Sequence, residues 1–347
     1  MKHILITGAT GFIGRNYLYA LLKENVKITV VSRTKSVNKT KVLFPEVNVI
    51  ALDLEIGNLE TLNLKALDSV TEVVHIAGGY DIQMDFKDAY KNNILLGQNL
   101  IRIIKKLNNI EMVHLISSFS VVGNENNKNF QEDDLCIDER MMNNYSFSKA
   151  KAEELFRNSA KELNFRLRIY RPGIVIESRV GKVMDKIDGP YYFSSELLKY
   201  KKIIRSMLFL TIPFSKKARL PLVSIECLTK NLVYATLKPS KDHQIRCYYF
   251  FSDNQVSVDK LLNAFFKILG IKTKVFSLPK LNSLKRITNI IGIPDELFDF
   301  MFMNNAYETS HRENDLPFWE DEAHDSFELA QKVLSSTPNR KWEITNA

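Results

Sequence analysis

A chain of 347 residues, 45% hydrophobic and 25% charged, carries enough apolar material for a sizeable buried core. Its three cysteines, Cys136, Cys227 and Cys247, form no Cys-x-x-Cys pair, and its six histidines lack metal-ligand spacing. A disulfide framework and a metal site are therefore not expected, and a cytoplasmic setting is.

The formal charge of +8 is concentrated in Lys35–Lys41, Lys199–Arg205 and Lys216–Arg219. It reads either as a solvated surface or as attraction for phosphates, an acidic carrier protein or anionic lipid. No nucleic-acid-binding signature accompanies it. No run of about 18 apolar residues predicts a spanning helix, and a Gly-rich turn interrupts the apolar N-terminus too early for a signal peptide.

In chain order, Ile4–Thr7 reads as a short strand, then a Gly-rich turn and a helix over Phe12–Glu24. Apolar runs follow at Ile28–Val31, Val47–Leu52, Val73–Ala77, Val113–Ser117 and Leu167–Tyr170, rich in Val, Ile and Leu as doubly buried strands are. Between them, Ala89, Asn93, Leu96, Leu100, Ile101 and Ile104 recur on one helix face, and Phe147, Ala150, Leu155 and Phe156 mark another helix. The alternation predicts an α/β fold, a doubly wound parallel sheet of the Rossmann type. Beyond Pro172 it weakens, leaving strand-like Cys247–Phe251, helix-like Val258–Leu269, a short strand near Lys274–Phe276 and small helices to the end. The expected division is a dinucleotide-binding domain over 1–172 and a smaller substrate lobe over 173–347, interleaved with it.

Three glycines fall in Thr7-Gly8-Ala9-Thr10-Gly11-Phe12-Ile13-Gly14, between the first strand and the first helix. Gly8 suits a tight turn, Gly11 a close approach of backbone to pyrophosphate, and Gly14 close helix–strand packing. The helix N-terminus then offers free N–H groups and partial positive charge to phosphates. At the end of the second strand, Ser32-Arg33-Thr34-Lys35 contains no acid. An NAD site usually places Asp or Glu there, whereas Arg33 can pair with a 2′-phosphate. NADP(H) is the expected cofactor; a solvated surface arginine is the alternative.

Tyr145 and Lys149 stand four residues apart in a helical segment and so share a face. A free tyrosine has a pKa of about 10. A neighbouring ammonium favours the phenolate and brings it nearer the working range. Lys149 can also hold a nicotinamide ribose. The third expected partner is Ser118, at the end of the fifth strand, where its hydroxyl can bond a substrate carbonyl; Ser117 and Ser120 compete for the role.

TGATGFIG, Asp53-Leu54, HIAGGY, Asn93, ISSFSVVG, YSFSK and YRPGIV stand in the order found in extended short-chain dehydrogenases, which this chain resembles over roughly residues 1–250. The resemblance implies that Asp53 and Leu54 flank the adenine and that Ala77, Gly78 and Gly79 pass beside the dinucleotide. It implies that Asn93 braces the active-site backbone or a relay water, and that Pro172, Gly173 and Val175 line the nicotinamide pocket. Residues 184–193, MDKIDGPYYF, are similar to a segment of fatty acyl-CoA and thioester reductases, the male-sterility branch. Where that branch often carries Gly-Asp-Ser, this chain has Ile176-Glu177-Ser178-Arg179. The implied substrate is a lipophilic carbonyl, small or carrier-bound, such as an acyl thioester. The alternatives are a simple ketone or alcohol, a nucleotide sugar, or a non-enzymatic NADP(H) sensor.

Tyr80, Tyr191 and Tyr192 are the tentative substrate contacts, with Leu208 and Phe209 from the apolar stretch Ile203–Phe214. That stretch, bracketed by Lys199–Lys202 and Lys216-Lys217, reads either as a lid over an acyl chain or as a core helix with charged ends. Contact with a membrane surface or an acidic carrier protein, and a homodimer, remain open.

Overall fold

Seven short apolar strands pair in parallel to form the central sheet. The computed structural model describes residues 1–57, 64–138, 141–177, 189–239, 242–281, 295–316 and 325–337. Across the sheet the strands run Ile245–Phe250, Arg166–Pro172, Met112–Ile116, Glu72–His75, His3–Thr7, Lys27–Ser32 and Asn48–Ala51. Every neighbouring pair is parallel, with registers such as Ile4↔Ile28 and Ile4↔Glu72. All residues of His3–Thr7, Glu72–His75 and Met112–Ile116 are buried, as a sheet covered on both faces requires.

Side-chain alternation along the first strand sorts the two cores. Ile4 and Ile6 join Tyr17, Leu18 and Leu21 of helix Phe12–Leu21, together with Leu228 and Leu232 of helix Ile225–Leu237. Leu5 faces the other way, toward Leu100 and Ile104 of helix Leu96–Ile104 and Phe156 of helix Asn144–Leu163. The strand order reverses between His3–Thr7 and Glu72–His75. A crevice opens at the carboxyl ends of such a pair, the topological switch point where open sheets bind ligands.

The sheet draws on both sides of residue 172. Ile245–Phe250 is its seventh strand, with Ile245 opposite Leu167. Helix Ile225–Leu237 packs on the first helix, and Tyr17 Oη donates to Thr236 Oγ1 at 3.0 Å. A third core belongs to the smaller lobe. It gathers residues of helices Pro190–Ser206, Val258–Ile268 and Ser326–Ser336, with Ile212 and Phe214 packed between them.

The apolar stretch 203–214 is not one helix. Its helix stops at Ser206, and Phe209–Pro213 is a strand paired in parallel with Lys274–Leu278. No helix among the described residues is long and apolar enough to cross a membrane.

A buried ion cluster fastens helix Asn144–Leu163 to strand Arg166–Pro172. Arg171 Nη2 lies 2.6 Å from Glu153 Oε1 and its Nε 3.2 Å from Oε2. Glu153 also accepts from Ser117 Oγ at 2.6 Å and from Arg157 Nη2 at 2.9 Å. Arg171 donates onward to the carbonyls of Glu132 and Asp134, at 2.9 and 2.7 Å.

Candidate active site

The Gly-rich turn is shaped by close backbone approach. Gly8 adopts φ +80°, and a Cβ there would collide with the backbone nitrogen of Ala77. A Cβ on Gly14 would collide with the Gly8 carbonyl, so strand, turn and helix pack together only without those side chains. Gly11 is the N-cap of helix Phe12–Leu21 and offers no side-chain acceptor. The N–H groups of Phe12, Ile13 and Gly14 therefore open toward the crevice, a cradle that fits a pyrophosphate.

A cavity of about 1150 Å³ runs from this turn across the strand ends. It exceeds the range of about 300–1,000 Å³ usual for a single drug-sized ligand, leaving room for a dinucleotide and a second molecule. Its wall includes Gly8, Thr10, Gly11, Phe12, Ile13, Gly14, Arg33, Leu54, Ala77, Gly78 and Gly79. Pro172, Gly173, Val175, Ser118, Tyr145 and Lys149 belong to the same wall. One expected neighbour is engaged elsewhere. The Asp53 carboxylate accepts from Thr34 N at 3.1 Å and Thr34 Oγ1 at 2.6 Å, so it fixes the turn after Arg33 while Leu52, Leu54 and Glu55 form the wall.

Around Arg33 the wall adds residues the sequence reading missed. Exposed Lys39 joins it, with Ser32, Ser36 and Thr40. Spacing does account for Lys39. It follows Ser36 by three residues at the start of helix Val37–Leu43.

Asn93 acts as a brace. It sits in a one-turn π-helix, Tyr90–Leu95, between two α-helical stretches, a local widening often found at functional sites. Its Oδ1 accepts from Gly79 N at 3.1 Å, and its Nδ2 donates to Gly79 O at 3.2 Å and Ser148 Oγ at 2.8 Å. Asn93 thus joins the Gly78-Gly79 turn to the helix that carries Tyr145. Thr7 and His75 add a second brace: their side chains bond at 2.7 Å, and Thr7 Oγ1 accepts from Ala77 N at 3.3 Å. Burial, with the charge of Lys149, pushes the His75 pKa down to about 3, so its imidazole stays neutral.

Tyr145 and Lys149 share the inward face of helix Asn144–Leu163, which Asn143 caps through its side chain to Ser146 N. The Tyr145 ring lies edge-on to Tyr80, with centroids 4.8 Å apart. Lys149 Nζ donates to the Ile116 carbonyl at 2.6 Å. Burial lowers its pKa to about 8, and Glu153 one turn along offsets part of that shift. All three serines line the cavity: Ser117 Oγ donates to Glu153, whereas Ser118 Oγ lies 2.9 Å from Ser120 Oγ and accepts from Ser120 N at 3.3 Å.

Beyond this corner the cavity becomes apolar. Phe193, Ile212, Phe214, Leu220, Leu261, Leu262, Phe265 and Met301, of the third core or packed on it, line it together with Phe300 of the first core. Tyr80 is on the wall, but four other expected substrate contacts are not. Tyr191 is fully buried in the third core, where its hydroxyl accepts from Glu177 N at 3.1 Å. Tyr192 is also off the wall, because the helix presents Pro190 and Phe193, one turn apart, instead. Leu208 and Phe209 are 86% and 62% exposed, at the outer end of the strand whose inner end brings Ile212 and Phe214 to the cavity. Residues 178–188, including Ser178-Arg179 and the first five residues of MDKIDGPYYF, lie outside the described residues.

The family described as "Male sterility protein", an NAD-binding family, matches residues 6–226. The chain belongs to this family. It is similar to a polyketide synthase-nonribosomal peptide synthetase of Aspergillus flavipes, 23% identical over 84% of this chain. The match occupies 7% of that relative, and the chain spans less than half of two further curated relatives. Among solved structures, the terminal R domain of the myxalamid PKS-NRPS pathway superposes with TM-score 0.74 at 19% identity, covering 96% of this chain and 90% of that one. A UDP-glucose-4-epimerase from Stenotrophomonas maltophila gives TM-score 0.68 at 13% identity, covering 97% and 98%. These likenesses fix the fold. The male sterility family is of the extended short-chain dehydrogenase type, whose members are NAD(P)-dependent oxidoreductases and epimerases.

The family match spans the Gly-rich turn and the Tyr145–Lys149 helix but ends before Leu261, Leu262 and Phe265. Within the matched region, Lys149 gives the site a pH signature. Its ammonium is present below about pH 8 and lost above it. The kcat/KM should therefore fall as pH rises through 8, reporting the enzyme before its substrate binds. Lys149→Arg, which keeps its charge, should lose that limb whatever activity it retains. An alkaline limb unchanged in Lys149→Arg would assign the titration to another group.

Proposed function

We propose that this enzyme uses NADPH to reduce a fatty acyl thioester, free or carrier-bound, or a related lipophilic carbonyl. The observation that carries the reading is the continuity of the Ser118–Tyr145–Lys149 corner with the apolar arm of the cavity. A carbonyl at that corner would have its alkyl chain directed toward Phe193, Leu261, Leu262 and Phe265. A nucleotide sugar would find few partners for its hydroxyls along such a wall.

NADPH, held by the Gly8–Gly14 turn, Arg33 and Lys149, would supply a hydride for the carbonyl carbon. Ser118 Oγ and Tyr145 Oη donate hydrogen bonds to the oxygen as it becomes negative, and Tyr145 delivers the proton. The Lys149 ammonium, held by the Ile116 carbonyl, favours negative charge on that oxygen and on the tyrosine after transfer. With a thioester, collapse of the hydride adduct breaks the C–S bond and releases thiol and aldehyde. Asn93 positions the helix and the Gly79 turn without touching the reacting atoms.

Cofactor choice rests on Arg33 and Lys39, both exposed on the cavity wall, and on the absence of any acid in Ser32–Lys35. NADPH should bind at least about tenfold more tightly than NADH, the equivalent of about 1.4 kcal/mol. Arg33→Asp should reverse the order. Equal affinities in the parent protein would contradict the assignment.

Substrate choice is read from chain length. Each buried methylene contributes about 0.8 kcal/mol, so kcat/KM should climb by about fourfold per methylene until the arm is filled. Leu262→Phe should bring the plateau to shorter chains and leave short substrates unaffected. A flat profile would remove the acyl reading and favour a simple ketone as substrate.

A further inference from the structure

The lobe that walls the apolar arm also carries a patch of exposed apolar side chains. Ile203, Met207, Leu208, Phe209 and Phe276 are all exposed, and the Phe209 and Phe276 rings are 6.4 Å apart. The patch is a latched corner. Thr273 Oγ1 donates to the carbonyls of Ile204 and Met207 at 2.5 and 3.1 Å, and Lys274 N donates to Leu208 O at 3.2 Å. The Arg205 guanidinium bonds the Leu269 carbonyl. These bonds hold the turn from helix to strand in place while its apolar side chains face water.

The two segments that form the patch carry charge of one sign. Lys202, Arg205, Lys272 and Lys274 are exposed beside it. No Asp or Glu occurs from Leu197 to Arg219 or from Leu261 to Leu281. Protein interfaces are depleted in lysine, and a stable one needs about 20–30 residues a side, far more than this corner offers. An apolar tip with a lysine rim fits instead the boundary between anionic headgroups and acyl chains.

We propose that this corner docks the enzyme on an anionic lipid surface, with Leu208 and Phe209 entering the acyl layer and the cations meeting phosphate. The elements that carry the tip also wall the cavity. Helix Pro190–Ser206 has Pro190 and Phe193 on the wall at its other end, and the strand from Phe209 reaches it at Ile212. Docking would place the apolar arm near a reservoir of lipophilic substrate. That link to turnover rests on the proposed substrate class, whereas lipid binding itself does not.

The test is vesicle flotation with the full chain, using phosphatidylcholine alone or with a minor fraction of phosphatidylglycerol. The protein should float with the anionic vesicles and be released by high salt. Leu208→Ser combined with Phe209→Ser should weaken binding at least about tenfold. Lys202→Glu with Lys274→Glu should do the same, at about fivefold per cation removed. Both pairs are exposed, so thermal unfolding and turnover of a water-soluble short thioester should match the parent. Failure to float with anionic vesicles, or flotation indifferent to both double variants, would overturn the proposal. So would a dimer in gel filtration that Leu208→Ser/Phe209→Ser dissolves, or tip-dependent capture of an acidic carrier protein without vesicle binding. Flotation without thioester turnover would leave the docking surface standing and remove only the proposed substrate.

Discussion

The Arg171–Glu153 pair fixes where the helix of Tyr145 and Lys149 meets the sheet. Burial alone would raise the Glu153 pKa, but Arg171, Arg157 and Ser117 more than offset it and hold the carboxyl below its usual range. Breaking such a pair from one side leaves an uncompensated buried charge, a cost of about 3–5 kcal/mol. The helix is therefore strongly constrained in rotation and height. Tyr145, Lys149 and Glu153 follow at intervals of four residues, so anchoring the third sets the first two on the same face. The pair also engages one of the serines: Glu153 takes the hydroxyl of Ser117, which leaves Ser118 and Ser120 on the same wall.

A second consequence is electrostatic. The anchor brings Lys149 to the carboxyl edge of the sheet, where the Ile116 carbonyl receives its ammonium. In that dry position the charge is costly, which is why its pKa drops toward the physiological range. The same charge helps keep His75 neutral and available to Thr7. Gly78 must pass close by, since a Cβ there would sit 2.8 Å from Asn93 Oδ1 and 3.7 Å from Lys149 Nζ. Anchor, ammonium and Gly-rich turns form one connected construction around the strand ends.

The parts legible in the sequence are those whose signal is local. Doubly buried strands appear as short apolar runs, and the first turn as glycines at fixed offsets, so the parallel sheet and the cavity wall from Gly8 to Gly14 follow directly. The Tyr145–Lys149 spacing is likewise contained in one helical turn. What escaped depends on distant partners. Ser117 differs from Ser118 and Ser120 because Glu153, itself held by Arg171, takes its hydroxyl. Tyr191 and Phe193 differ by helical phase, which is set by packing on the third core. Leu208 and Phe209 are apolar, but apolarity does not say whether a side chain faces ligand, core or solvent. Phe209 opens a strand paired with Lys274–Leu278, 65 residues further along the chain, and Leu208 precedes it at the turn. Asp53 keeps the motif position, yet its carboxylate turns to Thr34.

The claim on which the rest converges is that the Tyr145 hydroxyl completes a reduction begun at the cavity corner. Single-turnover reduction of a long-chain acyl thioester, followed by NADPH absorbance in the parent and in Tyr145→Phe, tests it most directly. The substitution removes only the oxygen and keeps the ring against Tyr80. The account predicts a rate lowered at least about a hundredfold, the usual scale for general acid–base catalysis, with NADPH affinity unchanged. A Tyr145→Phe rate close to that of the parent would contradict it.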